Sequence, residues 1–400
     1  MTKIAVLGYG TVGSGVVHVL SANAALIEKN AGEKIEVGRV LDLREFPGDP
    51  VSGILTHDFE DIVSDPEISV VVETMGGTKP AYDFVKRCLL SGKSVCTSNK
   101  ALVADHGTEL IRIASEKNVH FFFEASVGGG IPILRPLSRC LVADEILSIK
   151  GILNGTTNFI LSKMRDEGAD YSEVLAQAQK LGYAEADPTA DVEGYDSCRK
   201  IAILTALAYG AQVDYEDITT EGITDITTQD IAYAERLGRV IRLIGMSRRA
   251  DGRLYALVAP FMLDKCDPLY GVNDVFNAIT VTGNMLGDVM FYGQGAGKDA
   301  TASAVVTDVI EAVKNRDIRV DIRWDEKKQT VEPLEDMTNK FFVRISSEQA
   351  DRAAGLFGVT EFIDGVVDGE VGFLTGEIKE SEFNNSFAQL SGTKKRIRLL

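Results

Sequence analysis

A short apolar run, "KIAVL" at residues 3–7, ends in Gly8-Tyr9-Gly10-Thr11-Val12-Gly13, and a helical pattern begins at once. No other feature restricts the fold as strongly. A GxGxxG hexapeptide alone is a weak signal, but between a buried strand and a helix it has the context of a dinucleotide-binding turn. Gly8 allows the tight turn, Gly10 lets a pyrophosphate approach the backbone, and Gly13 lets the helix pack on the strand. Thr11 and Val12 open the helix, whose N-terminus offers N–H groups and partial positive charge. Strand-like runs then alternate with helical patterns to about residue 125: "KIEVGRVLD", "ISVVVETMG", "KPAYDFVKRCLLSG", "KSVCTS", "HGTELIRIASEKN", "VHFFFEA". This alternation predicts a Rossmann-type, mostly parallel sheet covered on both faces.

Beyond residue 130 the pattern changes. "EILSIKGILNGTTNFIL" turns from strand to helix, residues 197–210 and 227–245 read as helices, and 253–262 and 277–293 read as strands with a Gly283-Asn284 hairpin signal. We therefore expect an α/β chain: a dinucleotide domain at 1–130, completed by about 294–320; an α+β domain at 131–293; and a small α+β C-terminal appendage at 335–400.

The formal net charge of -17 speaks against nucleic acid as a partner. No apolar run has the roughly eighteen residues of a membrane span, and no signal-peptide layout precedes the first strand, so a cytoplasmic setting is expected. Cys88, Cys96, Cys140, Cys198 and Cys266 form no CxxC pair, and the four histidines form no HExxH.

The ribose of a dinucleotide is read at the end of the second strand, where "RVLDLRE" offers Asp42 and Arg44. An acid there favours the free 2′-hydroxyl of NAD, and a nearby arginine can take the 2′-phosphate of NADP. Thr74 and Ser98 follow later strands, and Lys100 lies in "SNK" beyond a strand end, where open α/β sheets bind ligands.

"GYAEADPTADVEGYDSCRK" (182–200) concentrates acids before a lysine. Hydride transfer at a carbonyl needs a proton moved on its oxygen, a task for a positioned lysine. Asp196 and Lys200 are four apart and share one face if a helix starts near Asp196. Carboxylates raise a lysine pKa, so so many acids suit a cationic substrate better than they suit tuning the lysine. A surface ion pair and a solvated turn would give the same residue pattern.

Taken in order, "GYGTVGSGV", "TSNKALVADHG", "EASVGGGIPI", "NGTTNFIL", the 182–200 segment and "GAGKDATASAVV" resemble the homoserine dehydrogenase family over about residues 1–310. The resemblance implies NAD(P)-linked interconversion of L-homoserine and L-aspartate 4-semialdehyde, on the route to threonine and methionine, by a homo-oligomer (dimer or tetramer), with 131–293 as the substrate and dimerisation domain and 335–400 as a candidate regulatory module. It implies Lys200 as the proton donor and acceptor, with Asp196 binding substrate beside it. Glu185 would receive the substrate ammonium, Gly155, Thr156 and Tyr183 would line the substrate site, and Lys100 would be the second functional lysine. Gly182 and Gly297 would meet the cofactor. Glu124, Val127, Gly129 and Ile131 match a sodium site. The chain departs from the pattern in three places. Gln294 stands where a proline is familiar in the late glycine loop, "VLDLRE" lacks an arginine directly at the strand end, and "SSEQADRAAGLFG" lacks a clear effector-binding turn. Two other classes compete: a non-catalytic NAD(P)-binding sensor, and a thioester-forming semialdehyde dehydrogenase, which needs a cysteine with a base beside it.

Overall fold

The computed structural model describes residues 1–318, 322, 324–392 and 394–400. Positions 319 and 320, at the end of the segment expected to complete the nucleotide domain, lie outside the described residues. The chain forms two compact units: Met1–Glu145 with Ala202–Tyr215 and Phe291–Gln329, and Ile146–Ile201 with Glu216–Met290 and Thr330–Leu400.

The first unit carries the expected sheet. Strands β1 (Thr2–Leu7), β2 (Ile35–Leu41), β3 (Leu55–Thr56), β4 (Ile68–Glu73), β5 (Ser94–Thr97) and β6 (Phe121–Phe122) run parallel in the order β3-β2-β1-β4-β5-β6. The order reverses between β1 and β4, so the loops leaving their carboxyl ends turn to opposite faces and open a crevice. Ile4, Val6, Val70 and Val72 are buried with Val305, Val306 and Val309 of helix Lys298–Lys314. That helix lies against helix Thr11–Ala22 because Gly15 has no side chain: a Cβ there would come within 2.8 Å of the Lys298 carbonyl oxygen. The late helix thus belongs to the core of the first unit.

The helical pattern after the glycine turn forms two helices, Thr11–Ala22 and Ala24–Ala31, broken at Asn23. The second helix accounts for the length of chain between Gly13 and Asp42.

The second unit is built on antiparallel strands Ile146–Ile152, Val240–Ala250, Arg253–Leu263 and Phe276–Gly283. Helix Gly155–Glu167 lies against strands Val240–Ala250 and Phe276–Gly283. A Cβ at Gly245 would sit 2.8 Å from Leu153 and 3.4 Å from Ile201, so glycine there lets the turn at Leu153 and the helix carrying Ile201 approach the strand. Residues 227–245, read as one helix, are helix Thr228–Arg236 followed by a strand from Val240. Gly238, at φ 67°, turns the chain between them.

The C-terminal strands continue this sheet. Lys394–Leu399 runs parallel to Arg253–Leu263, then Thr338–Ser346 and Glu370–Leu374 follow, and helix Glu380–Ala388, absent from the sequence reading, joins them. Arg398, 2% exposed, is held by Glu380 at 2.6 and 2.9 Å and by Glu221 at 2.9 Å. Among the described residues no helix is long and apolar enough to cross a membrane.

Candidate active site

Two clusters stand out, one in each unit. In the second unit, strand Ile146–Ile152 runs into Leu153-Asn154 before helix Gly155–Glu167 begins. Asn154 is the helix N-cap, its side-chain oxygen accepting the Thr157 N–H at 2.9 Å. This leaves the amide nitrogen to donate to Asp196 at 2.9 Å and Asp191 at 2.7 Å. Gly194, at φ 83°, turns the chain into helix Tyr195–Tyr209, placing Asp196 in its first turn and Lys200 one turn on.

Lys200 donates to Asp196 Oδ2 at 2.7 Å and to the Leu153 carbonyl at 2.7 Å. Both side chains are buried, Lys200 at 9% and Asp196 at 3% exposure. An exposed helix pair contributes little and is free to reorient. This one is desolvated and fixed from two elements, so the ammonium has a set direction. An ammonium has three N–H groups; two are held by protein oxygens, which leaves the third for a ligand.

Other residues expected at the substrate or cofactor site lie in the same unit. Thr156 donates to the Tyr183 carbonyl at 2.6 Å, and the Tyr183 ring lies 5.1 Å from that of Phe159. Gly155 has no room for a side chain, since a Cβ would be 2.8 Å from the Val275 carbonyl. Gly182, at φ 77°, and Glu185 lie in the exposed turn after helix Tyr171–Lys180, the Glu185 carbonyl accepting from Gln179 at 3.1 Å. Asn154 and the Leu153 carbonyl are contributors that the sequence reading did not single out. An asparagine between a strand and a helix start is a capping signal, and it marks the place where the two lysine anchors meet.

In the first unit, the glycine turn opens a cleft of about 560 Å³ lined by Gly8, Gly10, Asp42, Arg44, His57, Thr74 and Met75. A Cβ on Gly13 would fall 1.9 Å from the Gly8 carbonyl oxygen, so glycine is required there. Thr11 is exposed at the start of the helix, and Val12 is part-buried beside it. Thr74 donates to the Gly8 carbonyl at 2.9 Å and secures the turn. The Asp42 carboxylate accepts the Tyr9 N–H at 2.7 Å and the Arg44 N–H at 3.0 Å, and both arms of the Arg44 guanidinium at 2.9 Å. Arg44 holds the Asp42 carboxyl well below the usual carboxylate range. Asp42 and Arg44 therefore form one ion pair just beyond the end of β2.

Lys100 is the first residue of helix Lys100–Lys117, capped by Asn99, and the Ser98 N–H donates to the Glu73 carbonyl at 3.4 Å. Gly297, at φ 125°, caps helix Lys298–Lys314.

Glu124, Val127, Gly129 and Ile131 form a buried loop in the same unit. The Glu124 carboxylate accepts N–H groups of Ile133, Leu134 and Arg135 at 2.7, 2.8 and 2.8 Å, so its acidic oxygens are engaged with the backbone. Gly129 packs against the late glycine loop, where a Cβ would be 2.5 Å from the Gly295 carbonyl. Behind it Asp308 pairs with Arg135 and accepts the Glu124 N–H at 2.9 Å. Burial pushes the Asp308 carboxyl up to about 7, with Arg135 opposing. Among the described residues no group of three or more His, Cys, Asp or Glu side chains could hold a metal. Cys198 is 4% exposed and burial pushes its thiol pKa up, the opposite of an activated nucleophile.

The homoserine dehydrogenase family profile matches residues 132–310, and the profile of that family's NAD-binding domain matches residues 8–124. A homoserine dehydrogenase of Synechocystis is 41% identical over 97% of this chain and 96% of its own length. The crystal structure of a homoserine dehydrogenase from Thiobacillus denitrificans superposes with a TM-score of 0.93 at 36% identity, covering 100% of this chain and 98% of the other. A hyperthermophilic archaeal homoserine dehydrogenase in complex with NADPH matches with a TM-score of 0.66 at 28% identity, over 78% of this chain and 97% of the other.

Proposed function

The chain belongs to the homoserine dehydrogenase family, an NAD(P)-dependent oxidoreductase family, and on that footing we propose that Lys200 is the acid and base of its reaction. The observation that carries the proposal is the buried Lys200 ammonium held by Asp196 and the Leu153 carbonyl. Bound NAD(P) supplies the hydride acceptor or donor. When homoserine is oxidised, hydride leaves the carbon bearing the hydroxyl and the hydroxyl proton passes to the Lys200 amine. In the reverse direction the Lys200 ammonium returns a proton to the aldehyde oxygen as hydride arrives. Asp196 and the Leu153 carbonyl hold Nζ in one place, so no reorientation is needed at the transition state.

Glu185 receives the substrate ammonium, and Asp196, Gly155, Thr156 and Tyr183 shape the substrate site. Lys100 is the second functional lysine. Gly8, Gly10, Thr11, Val12, Gly13, Thr74, Ser98, Gly182 and Gly297 meet the cofactor. The Asp42–Arg44 pair suits either cofactor: a ribose diol can share Asp42, and Arg44, largely exposed, can turn to a 2′-phosphate. Sodium would be held by main-chain carbonyls of Glu124, Val127, Gly129 and Ile131. Uncharged oxygens suit a monovalent ion, and the Glu124 carboxylate is already engaged. There the ion would stiffen the loop against the late glycine turn.

A homo-oligomer is supported by strand Gly287–Gln294, which ends the sheet, and by Met285, Leu286 and Met290 exposed at 83%, 48% and 44% beside it. Among the described residues no strand pairs with its outer edge, and an exposed apolar edge strand invites pairing with a second copy. A cytoplasmic setting, in threonine and methionine biosynthesis, accords with free thiols at all five cysteines. A structure with homoserine and NAD(P) bound tests the mechanism. Lys200 Nζ is expected within hydrogen-bond reach of the reacting oxygen; another titratable group in its place would remove Lys200 from the role.

A further inference from the structure

One buried acid ties together the two turns that leave β4 and β5. Glu73 is the last residue of β4 and has 0% exposure. Its partners are neutral donors. Thr97 Oγ1 donates to Oε2 at 2.6 Å and the Met75 N–H to Oε1 at 2.8 Å. Burial raises its pKa and these donors oppose the rise. A carboxylate buried without a cation is an expensive way to fill a core. If packing were all that was needed, an apolar side chain at the end of this strand would serve better.

The hydrogen bonds lead outward in two directions. Toward β5, Thr97 Oγ1 accepts the Asn99 N–H at 2.9 Å. Asn99 then donates to the Gly77 carbonyl at 2.6 Å and caps the helix that begins with Lys100, accepting the Leu102 N–H at 3.1 Å. Toward β1, the Met75 backbone fastened to Glu73 lies against the glycine turn, where a Cβ on Gly8 would be 3.0 Å from Met75 Cα. Neighbouring Thr74 holds the Gly8 carbonyl. The pyrophosphate turn and the Ser98–Lys100 turn therefore share a single anchor.

We infer that Glu73 is a positioning residue for the cofactor, fixing the Gly8 turn and the Ser98–Lys100 turn relative to one another through Met75, Thr97 and Asn99. This rests on reading those two turns as the seat of NAD(P). Both carboxylate oxygens must accept, because every partner donates. Glu73→Gln keeps the shape but turns one acceptor into a donor facing a donor, and the ring must open on that side.

The test is NAD(P)H binding to the full-length protein without homoserine, read by nicotinamide fluorescence, with steady-state kinetics on the same preparations. Glu73→Gln is expected to raise the NAD(P)H Kd and the cofactor KM about tenfold or more, while homoserine KM stays within about twofold. Thr97→Val, which cuts the same chain without touching the acid, should give the same pattern, and Thr97→Ser, which keeps the hydroxyl, should restore wild-type binding. A purely structural role would lower the fraction of active protein and leave Kd and KM per active site unchanged. Wild-type Kd in folded Glu73→Gln or folded Thr97→Val overturns the inference. If Glu73→Gln does not fold, Thr97→Val and Thr97→Ser decide the matter. Failure of the Lys200 mechanism would appear in turnover and leave these binding constants as they are.

Discussion

A lysine is mobile and strongly hydrated until its surroundings fix it. Around Lys200 that is done by a carboxylate four residues earlier and by a carbonyl at the end of a strand, 2.7 Å away in each case. The spacing of Asp196 and Lys200 could be read from the sequence; their burial and the part of Asn154 could not, since both depend on a strand end brought alongside the helix start. Asp196→Asn keeps the shape and weakens the hold on Nζ, so turnover should fall by about one to two orders of magnitude, less than on loss of the lysine itself. Near-normal kcat in Asp196→Asn would mean that the ammonium needs no such anchor. Glu185, exposed in its turn, is the proposed partner of the substrate ammonium. Glu185→Gln should therefore act mainly on homoserine KM, as expected for an interaction equally strong in ground and transition states. A change in kcat alone would take the ammonium contact away from Glu185.

Among the elements, the strand–turn–helix at the start of the chain was the most legible, because its glycines answer steric demands that any such turn makes. Gly13 is the clearest case. A methyl group there would fall 1.9 Å from the Gly8 oxygen, so Gly13→Ala must push the helix off the turn. NAD(P)H affinity should drop at least tenfold, and the melting temperature should fall with it; an unchanged Kd by fluorescence titration would show that the turn tolerates the shift. Other elements were hidden by equally physical causes. The break at Asn23 falls inside a continuous helical pattern, with no proline or glycine to mark it. The strand from Val240 was read as helix because both of its faces are buried, which erases the alternation that identifies a strand. Helix Glu380–Ala388 is short and weakly patterned.

For the molecule as a whole, the parallel sheet was legible from the alternation of elements, whereas the larger mixed sheet was not, since its pairings join strands far apart in sequence. The C-terminal strands belong to that second sheet through Phe261–Arg398 and Met262–Leu399 pairing. Buried Arg344 is matched with Asp230 and Glu370, and Arg398 with Glu380 and Glu221. Ending the chain at residue 334 would leave Asp230, 0% exposed, without its arginine, and stranding one member of a buried pair costs about 3–5 kcal/mol. The shortened protein should be aggregated or unfolded by circular dichroism; a soluble protein with native melting behaviour would show that the tail is dispensable to the second unit. The most direct test of the central claim is the turnover of Lys200→Ala with homoserine at saturating NAD(P), beside its NAD(P)H dissociation constant. Turnover about 10²–10⁴-fold lower with cofactor affinity intact is the expected result; near-normal turnover would contradict it.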